Sequence, residues 1–199
     1  LYKLANDWEL QNKIFNEIKN VDDVDLDKIG LGDLPILRGF LFETLRLYPS
    51  LAACFPRVVK EDVDIELNSD KGKEVVHLDK GTVVFIPIVL FHKHPHYFSD
   101  PENFDINRDF RTPAFMPFIV GKHTCPGQNL AMNRALIGFC KLLKNFEFKS
   151  LSGMPDKEFL NAVSISPERT AVIQISERKF LNDNDCTLSS SNVPCISEN

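Results

Sequence analysis

Leu1, Leu4, Ala5 and Trp8, then Ile14, Phe15 and Ile18, recur at helical spacing through the first twenty residues. Asn6-Asp7 interrupts the pattern, which predicts one helix ending near Asn6 and a second starting with Asp7 as its N-cap. The polar, acidic stretch Val21 to Lys28 predicts a solvated loop. Asp33 is placed to cap a third helix with Pro35 in its first turn, where proline loses nothing because that N–H would be unpaired anyway. That helix should run to about Tyr48, and Pro49 stops it.

The apolar period then changes. Val63 to Leu67, Val75 to Leu78 and Thr82 to Ile86 alternate or cluster β-branched residues, with turns at Asn68 to Gly72 and Asp79 to Gly81, and predict a small antiparallel sheet. Leu130, Ile137, Cys140 and Leu143 return to helical spacing after Gly127. Phe146 to Lys149 and Thr170 to Ile175 predict two further strands. From Leu181 to Asn199 the chain is rich in Ser, Asn and Asp with almost no apolar periodicity. The expected division is a folded part, residues 1–177, and a disordered tail, 178–199.

Composition narrows the class. The 199 residues are 43% hydrophobic and 10% aromatic, ample for a buried core. The net charge of −5 is spread without a basic stripe, so neither nucleic acid nor an anionic membrane surface is an expected partner. Five cysteines, at 54, 125, 140, 186 and 195, form no Cys-x-x-Cys pair and suit a reducing compartment; Cys186 and Cys195 take no role. No signal peptide or membrane span is legible. The chain opens at Leu1 in the middle of an apolar pattern, so a fragment is expected.

The densest chemistry lies in Phe118-Ile-Val-Gly-Lys-His-Thr-Cys-Pro-Gly127. Gly121 and Gly127 flank Cys125 and allow tight turns and close approach of a flat ligand. A helix starting beside Cys125 would aim its positive end at the sulfur and favour a thiolate, which is a metal ligand. His123 adds a donor, and Phe118 can shield the sulfur from water. Glu43 and Arg46, three apart within Phe42 to Leu47, share a helix face; alone they suggest a surface ion pair worth well under about 1 kcal/mol. His92, His94 and His96 would point the same way on an extended strand and are the only rival metal cluster, though Pro95 and the lack of a fourth ligand weigh against zinc. Partly exposed histidines on a short helix and turn are the plainer expectation.

Phe-x-x-Gly-x-His-x-Cys-x-Gly resembles the haem-binding loop of the cytochromes P450, and Glu-x-x-Arg at 43 and 46 resembles that family's buried pair. The resemblance implies a mainly α fold with small β-sheets, here the C-terminal portion of the P450 fold. It implies haem as cofactor, with Cys125 its axial ligand, and Arg57 and His123 on the propionates. Arg108, in Asp100 to Phe110, would complete the Glu43–Arg46 network, with Arg111 as fallback, because Ile106 and Asp109 depart from the family pattern. The loop Thr112 to Pro117 is shorter than the family's. Leu51, Ala52, Ala53, Cys54 and Phe55, with Leu160, Asn161, Ala162 and Val163, would face substrate.

By the same resemblance the parent protein would be a monooxygenase that takes electrons from a reductase, activates O₂ and oxidises a hydrophobic or aromatic organic molecule. Its oxygen-activating Thr would lie upstream of Leu1, leaving this chain inactive alone. Anchoring in the endoplasmic reticulum membrane, facing the cytosol, would also be an upstream property. Two other readings stay open: a haem-holding or haem-sensing module without oxygen chemistry, and a zinc-binding or structural domain built on the histidines.

Overall fold

The structure is a computed structural model that describes residues 1–23, 25–26, 28–53, 56–69, 72–151 and 172–178. Helix α1 (Tyr2–Asn6) gives way to α2 (Trp8–Ile18) at Asp7, whose carboxylate accepts the Leu10 N–H at 2.9 Å. The expected N-cap is therefore present. α2 buries Leu10, Gln11, Ile14 and Ile18 on one face.

Helix α3 (Pro35–Leu47) has its proline in the first turn, but its cap differs from expectation. Leu34 occupies the N-cap position without a side-chain bond, and Asp33 instead accepts the Gly30 N–H at 2.9 Å. The free N–H groups of Ile36 and Leu37 go to the two carboxylate oxygens of Glu17 on α2, at 2.7 and 2.8 Å. A side chain from a packed neighbour has replaced the local cap, which also joins α2 to α3.

The expected single sheet is resolved into separate antiparallel pairs. Strand β1 (Arg57–Val58) pairs with β4 (Val83–Val84), while β2 (Val63–Ser69) and β3 (Gly72–Leu78) form a hairpin with Val63 opposite Leu78. Gly72 at φ +113° opens β3 in a conformation that other residues rarely adopt. Helix α4 (Ile88–His92) follows, and after a long irregular stretch α5 (Gln128–Asn145) runs directly into β5 (Phe146–Ser150), paired with β6 (Ile173–Glu177). The predicted strand ending at Ile175 is thus displaced towards Glu177; its first two positions, the pocket candidates Cys54, Phe55, Leu160, Asn161, Ala162 and Val163, and Cys186 and Cys195 in the expected tail lie outside the described residues.

The core joins Leu4, Leu10, Ile14 and Ile18 to Leu37, Phe40 and Leu41 of α3 and to Leu136, Cys140, Leu143 and Phe148. Gln11 is buried among them. Its amide nitrogen donates to the Leu4 and Phe148 carbonyls, each at 3.0 Å, and its amide oxygen accepts the Phe148 N–H at 2.9 Å. One side chain thus completes an edge of β5 that, among the described residues, no strand covers. Among the described residues no helix is long and apolar enough to cross a membrane.

Candidate functional site

Helix α3 supplies the polar centre of the site. Glu43 and Arg46 point inward with no exposure at all, and Arg46 grips the carboxylate with a fork, Nε to Oε2 and Nη2 to Oε1, both at 2.7 Å. The remaining guanidinium protons go to main-chain oxygens of His92 (2.9 Å), Pro101 (2.7 Å) and Asn103 (3.2 Å). The helical i, i+3 spacing brings the charges together, and burial makes each depend on the other.

Arg108 arrives from the irregular stretch and donates its Nε to Glu43 Oε1 at 3.0 Å. Its other nitrogens bond the carbonyls of Ser99, Asp100 (2.7 Å) and Asn103 (2.9 Å). The Asp105 N–H also donates to Glu43 Oε1, at 2.9 Å. Arg111 does not join: it forms an exposed pair with Asp109 at 2.9 Å, which holds the Asp109 carboxyl down at about 2. The backbone comes so near α3 that a Cβ on Gly39 would lie 2.1 Å from the Ile106 carbonyl oxygen.

The cysteine loop leaves this scaffold through Phe115 and Met116. Ile119 turns back on itself at φ +59°, with its N–H on the Met116 carbonyl at 3.0 Å, and a single 3₁₀ turn covers Gly121–His123. Gly121 at φ +76° is where a side chain would be strained. The Cys125 N–H donates to the Phe118 carbonyl at 2.9 Å, closing the loop, and α5 begins three residues beyond Cys125. Cys125 is exposed, and a Cβ on Gly127 would stand 3.8 Å from its sulfur, so this glycine keeps the immediate neighbourhood open. Phe118 is half-buried and His123 exposed at the end of the 3₁₀ turn.

Behind the loop lies a cavity of about 720 Å³ bounded by Phe42, Phe115, Met116, Phe118, Gln128 and Met132. Gln128 and Met132, a turn apart, give α5 its cavity side, whereas Leu130 is 63% exposed and Ala131 and Arg134 are exposed too. The pocket candidates Leu51, Ala52 and Ala53 do not line this cavity; Ala52 accepts the Val89 N–H at 3.1 Å beside α4. Arg57 opens β1 opposite Val84, with Nη1 3.5 Å from the Pro56 carbonyl oxygen.

The histidines do not converge. His92 is fully buried, its ring Nδ1 3.1 Å from the Arg46 carbonyl and its Nε2 3.0 Å from the Met116 N–H. Burial lowers its pKa to about 4. With both nitrogens engaged it has no lone pair for zinc, and His94 uses its Nδ1 to accept the His96 N–H at 3.2 Å. Among the described residues no group of three His, Cys, Asp or Glu is arranged to hold a metal ion. Sequence reasoning missed His92 as a core residue; its helical spacing from buried Ile88, four residues earlier, is the signal that marks the inward face.

Residues 1–174 match the sequence profile described as cytochrome P450. Rat cytochrome P450 3A9 is 32% identical over 195 residues, which cover 89% of this chain and 36% of the relative. Probable cytochrome P450 508A2 of Dictyostelium discoideum is 30% identical, with 88% of this chain and 38% of the relative covered. A zebrafish cytochrome P450 solved with abiraterone superposes with a TM-score of 0.73 at 25% identity, over 89% of this chain and 43% of the other. The chain belongs to the cytochrome P450 family. Its helices and small antiparallel sheets are a portion of that fold, and it spans little more than a third of the curated relatives' length.

Proposed function

We propose that this chain is the haem-ligating part of a haem-thiolate monooxygenase, with Cys125 as the axial ligand. The observation that carries this reading is the exposed thiol of Cys125, presented by a closed, glycine-flanked loop beside the start of α5. The donor chemistry fits: one accessible sulfur beside Gly127, in a segment that also exposes the apolar side chains of Val120 and Leu130, suits a flat apolar macrocycle better than a zinc site needing four ligands. Haem bound there would supply O₂ activation, with the thiolate favouring O–O cleavage.

The chain's own residues hold and orient. Glu43, Arg46 and Arg108 fix the scaffold behind the loop, Phe118 shields the sulfur, Gly121 and Gly127 permit close approach, and Arg57 and His123 take the propionates. The parent protein would receive electrons from a reductase at the endoplasmic reticulum membrane and oxidise a hydrophobic or aromatic molecule, with Leu51 to Phe55 and Leu160 to Val163 facing it. Its oxygen-activating group lies outside this segment in our reading, so the chain alone does not turn over.

The test is the absorption spectrum of the chain with added haem, reduced and exposed to carbon monoxide, beside Cys125→Ala. A thiolate-type Soret band that the substitution removes is expected. A band indifferent to the substitution, or none, would sink the assignment of Cys125.

A further inference from the structure

His92 closes α4 and is bound to Arg46 twice. Its main-chain oxygen accepts Arg46 Nη1 at 2.9 Å, and its ring Nδ1 lies 3.1 Å from the Arg46 carbonyl oxygen. On the other side the ring Nε2 lies 3.0 Å from the Met116 nitrogen. A carbonyl only accepts and a peptide N–H only donates, so one tautomer satisfies both: the proton sits on Nδ1 and the lone pair on Nε2. Phe115 packs against the ring, with centroids 5.4 Å apart.

Met116 begins the turn into the cysteine loop. Its carbonyl accepts the Ile119 N–H at 3.0 Å, and the Phe118 carbonyl accepts the Cys125 N–H at 2.9 Å. Other hydrogen bonds of residues 112–124 stay within the segment or join it to Cys125. Among the described residues, the His92 ring is therefore the one hydrogen-bonded tie between this segment and an earlier element.

We propose that His92 is a positioning residue: its ring sets the height of the Cys125 loop against the Glu43–Arg46–Arg108 network. The inference rests on the reading of Cys125 as haem ligand for its functional meaning, but not for its geometry. A ring with one fixed tautomer transmits the position of α3 to Met116, and the loop's internal bonds carry it on to Cys125. His94 and His96, two and four residues later, have no comparable link.

Three variants of the full chain separate the bonds. His92→Phe keeps a ring and loses both. His92→Asn keeps a donor near Nδ1 and loses the acceptor, whereas His92→Gln brings an amide oxygen to the place of Nε2. Amide hydrogen exchange without haem is expected to be roughly tenfold faster at Met116, Ile119 and Cys125 in the Phe and Asn variants, and restored in Gln, while the core of α2 and α5 is unchanged. If Phe fails to fold, the Asn and Gln pair decides.

Unchanged exchange at Met116 and Ile119 in the Asn variant would overturn the proposal. So would a uniform rise over every element, which would assign the ring to general core stability. The reduced carbon-monoxide spectrum, recorded in parallel with haem, should lose thiolate character in Asn and regain it in Gln. A wild-type chain without a thiolate band would refute the ligand reading, while the exchange pattern would still decide for or against the His92 tie.

Discussion

Glu43 and Arg108 meet through Oε1 and Nε at 3.0 Å across 65 residues of chain, and the carboxylate they share with Arg46 is completely buried. One anion therefore stands between two guanidiniums. Replacing Glu43 by Gln leaves both cations without their counter-charge, and unfolding in urea should show a loss of roughly 3 to 5 kcal/mol. Arg108→Lys should also destabilise, because a single ammonium cannot fork to the carboxylate and three carbonyls at once. Arg111→Ala, removing only an exposed pair, should move stability by less than about 1 kcal/mol.

Gly39 and Gly138 are both helical glycines, and alanine should act on them in opposite directions. At Gly39 the new methyl would meet the Ile106 carbonyl oxygen at 2.1 Å and push away the segment that carries Asp105 and Arg108 onto Glu43. A net loss of about 1 to 3 kcal/mol is expected despite the better helix propensity. At Gly138 nothing lies within 4 Å, and a gain of roughly 0.5 to 1 kcal/mol should appear as a higher thermal midpoint.

The start of α3 depends on Glu17. Glu17→Ala removes both acceptors from Ile36 and Leu37 and should cost about 0.5 to 2 kcal/mol, whereas Asp33→Ala leaves those two groups paired. Equal losses from the two substitutions would contradict the cross-helix cap.

Acid should weaken the fold through His92. Its folded pKa is lowered from 6.5 to about 4, mainly by burial, so below pH 6.5 the unfolded chain takes a proton that the folded chain refuses. Stability present above that pH should fall towards about pH 4 by about 3 kcal/mol and then level off. Urea titrations across this range should show the slope in the native chain and lose it in His92→Phe.

Cys125 and Cys140 should differ towards an alkylating reagent. Burial pushes the Cys140 thiol up to about 11 and leaves it no exposed surface, whereas Cys125 is exposed. Mass spectrometry of the haem-free chain should find Cys125 labelled first and Cys140 only on unfolding. Early labelling of Cys140 would mean that the packing of α5 on α2 is looser than described.

Local spacing made much of this legible. Asp7 caps α2 because its acceptor is three residues from Leu10, and Glu43 meets Arg46 because one helical turn separates them. Arg108 was approached only through family resemblance, since nothing in its own neighbourhood names Glu43 as a partner. Glu17 and His92 escaped: one caps a helix nineteen residues on, the other accepts from a peptide group twenty-four residues on, and neither distance leaves a periodic trace. The strand pattern likewise showed which residues alternate but not that β1 would pair with β4 apart from the β2–β3 hairpin.

Gln11 adds an order of events. Its partner on β5, Phe148, is 137 residues further along, and Arg178, which donates to the neighbouring Asn12 at 3.3 Å, is further still. During synthesis α1 and α2 leave the ribosome long before either partner exists, so Gln11 cannot take its buried place until Phe148 has emerged. The opening helices must wait with an incomplete face, and a chaperone that shields apolar helix faces should hold nascent chains stopped before β5 and release those extended beyond it.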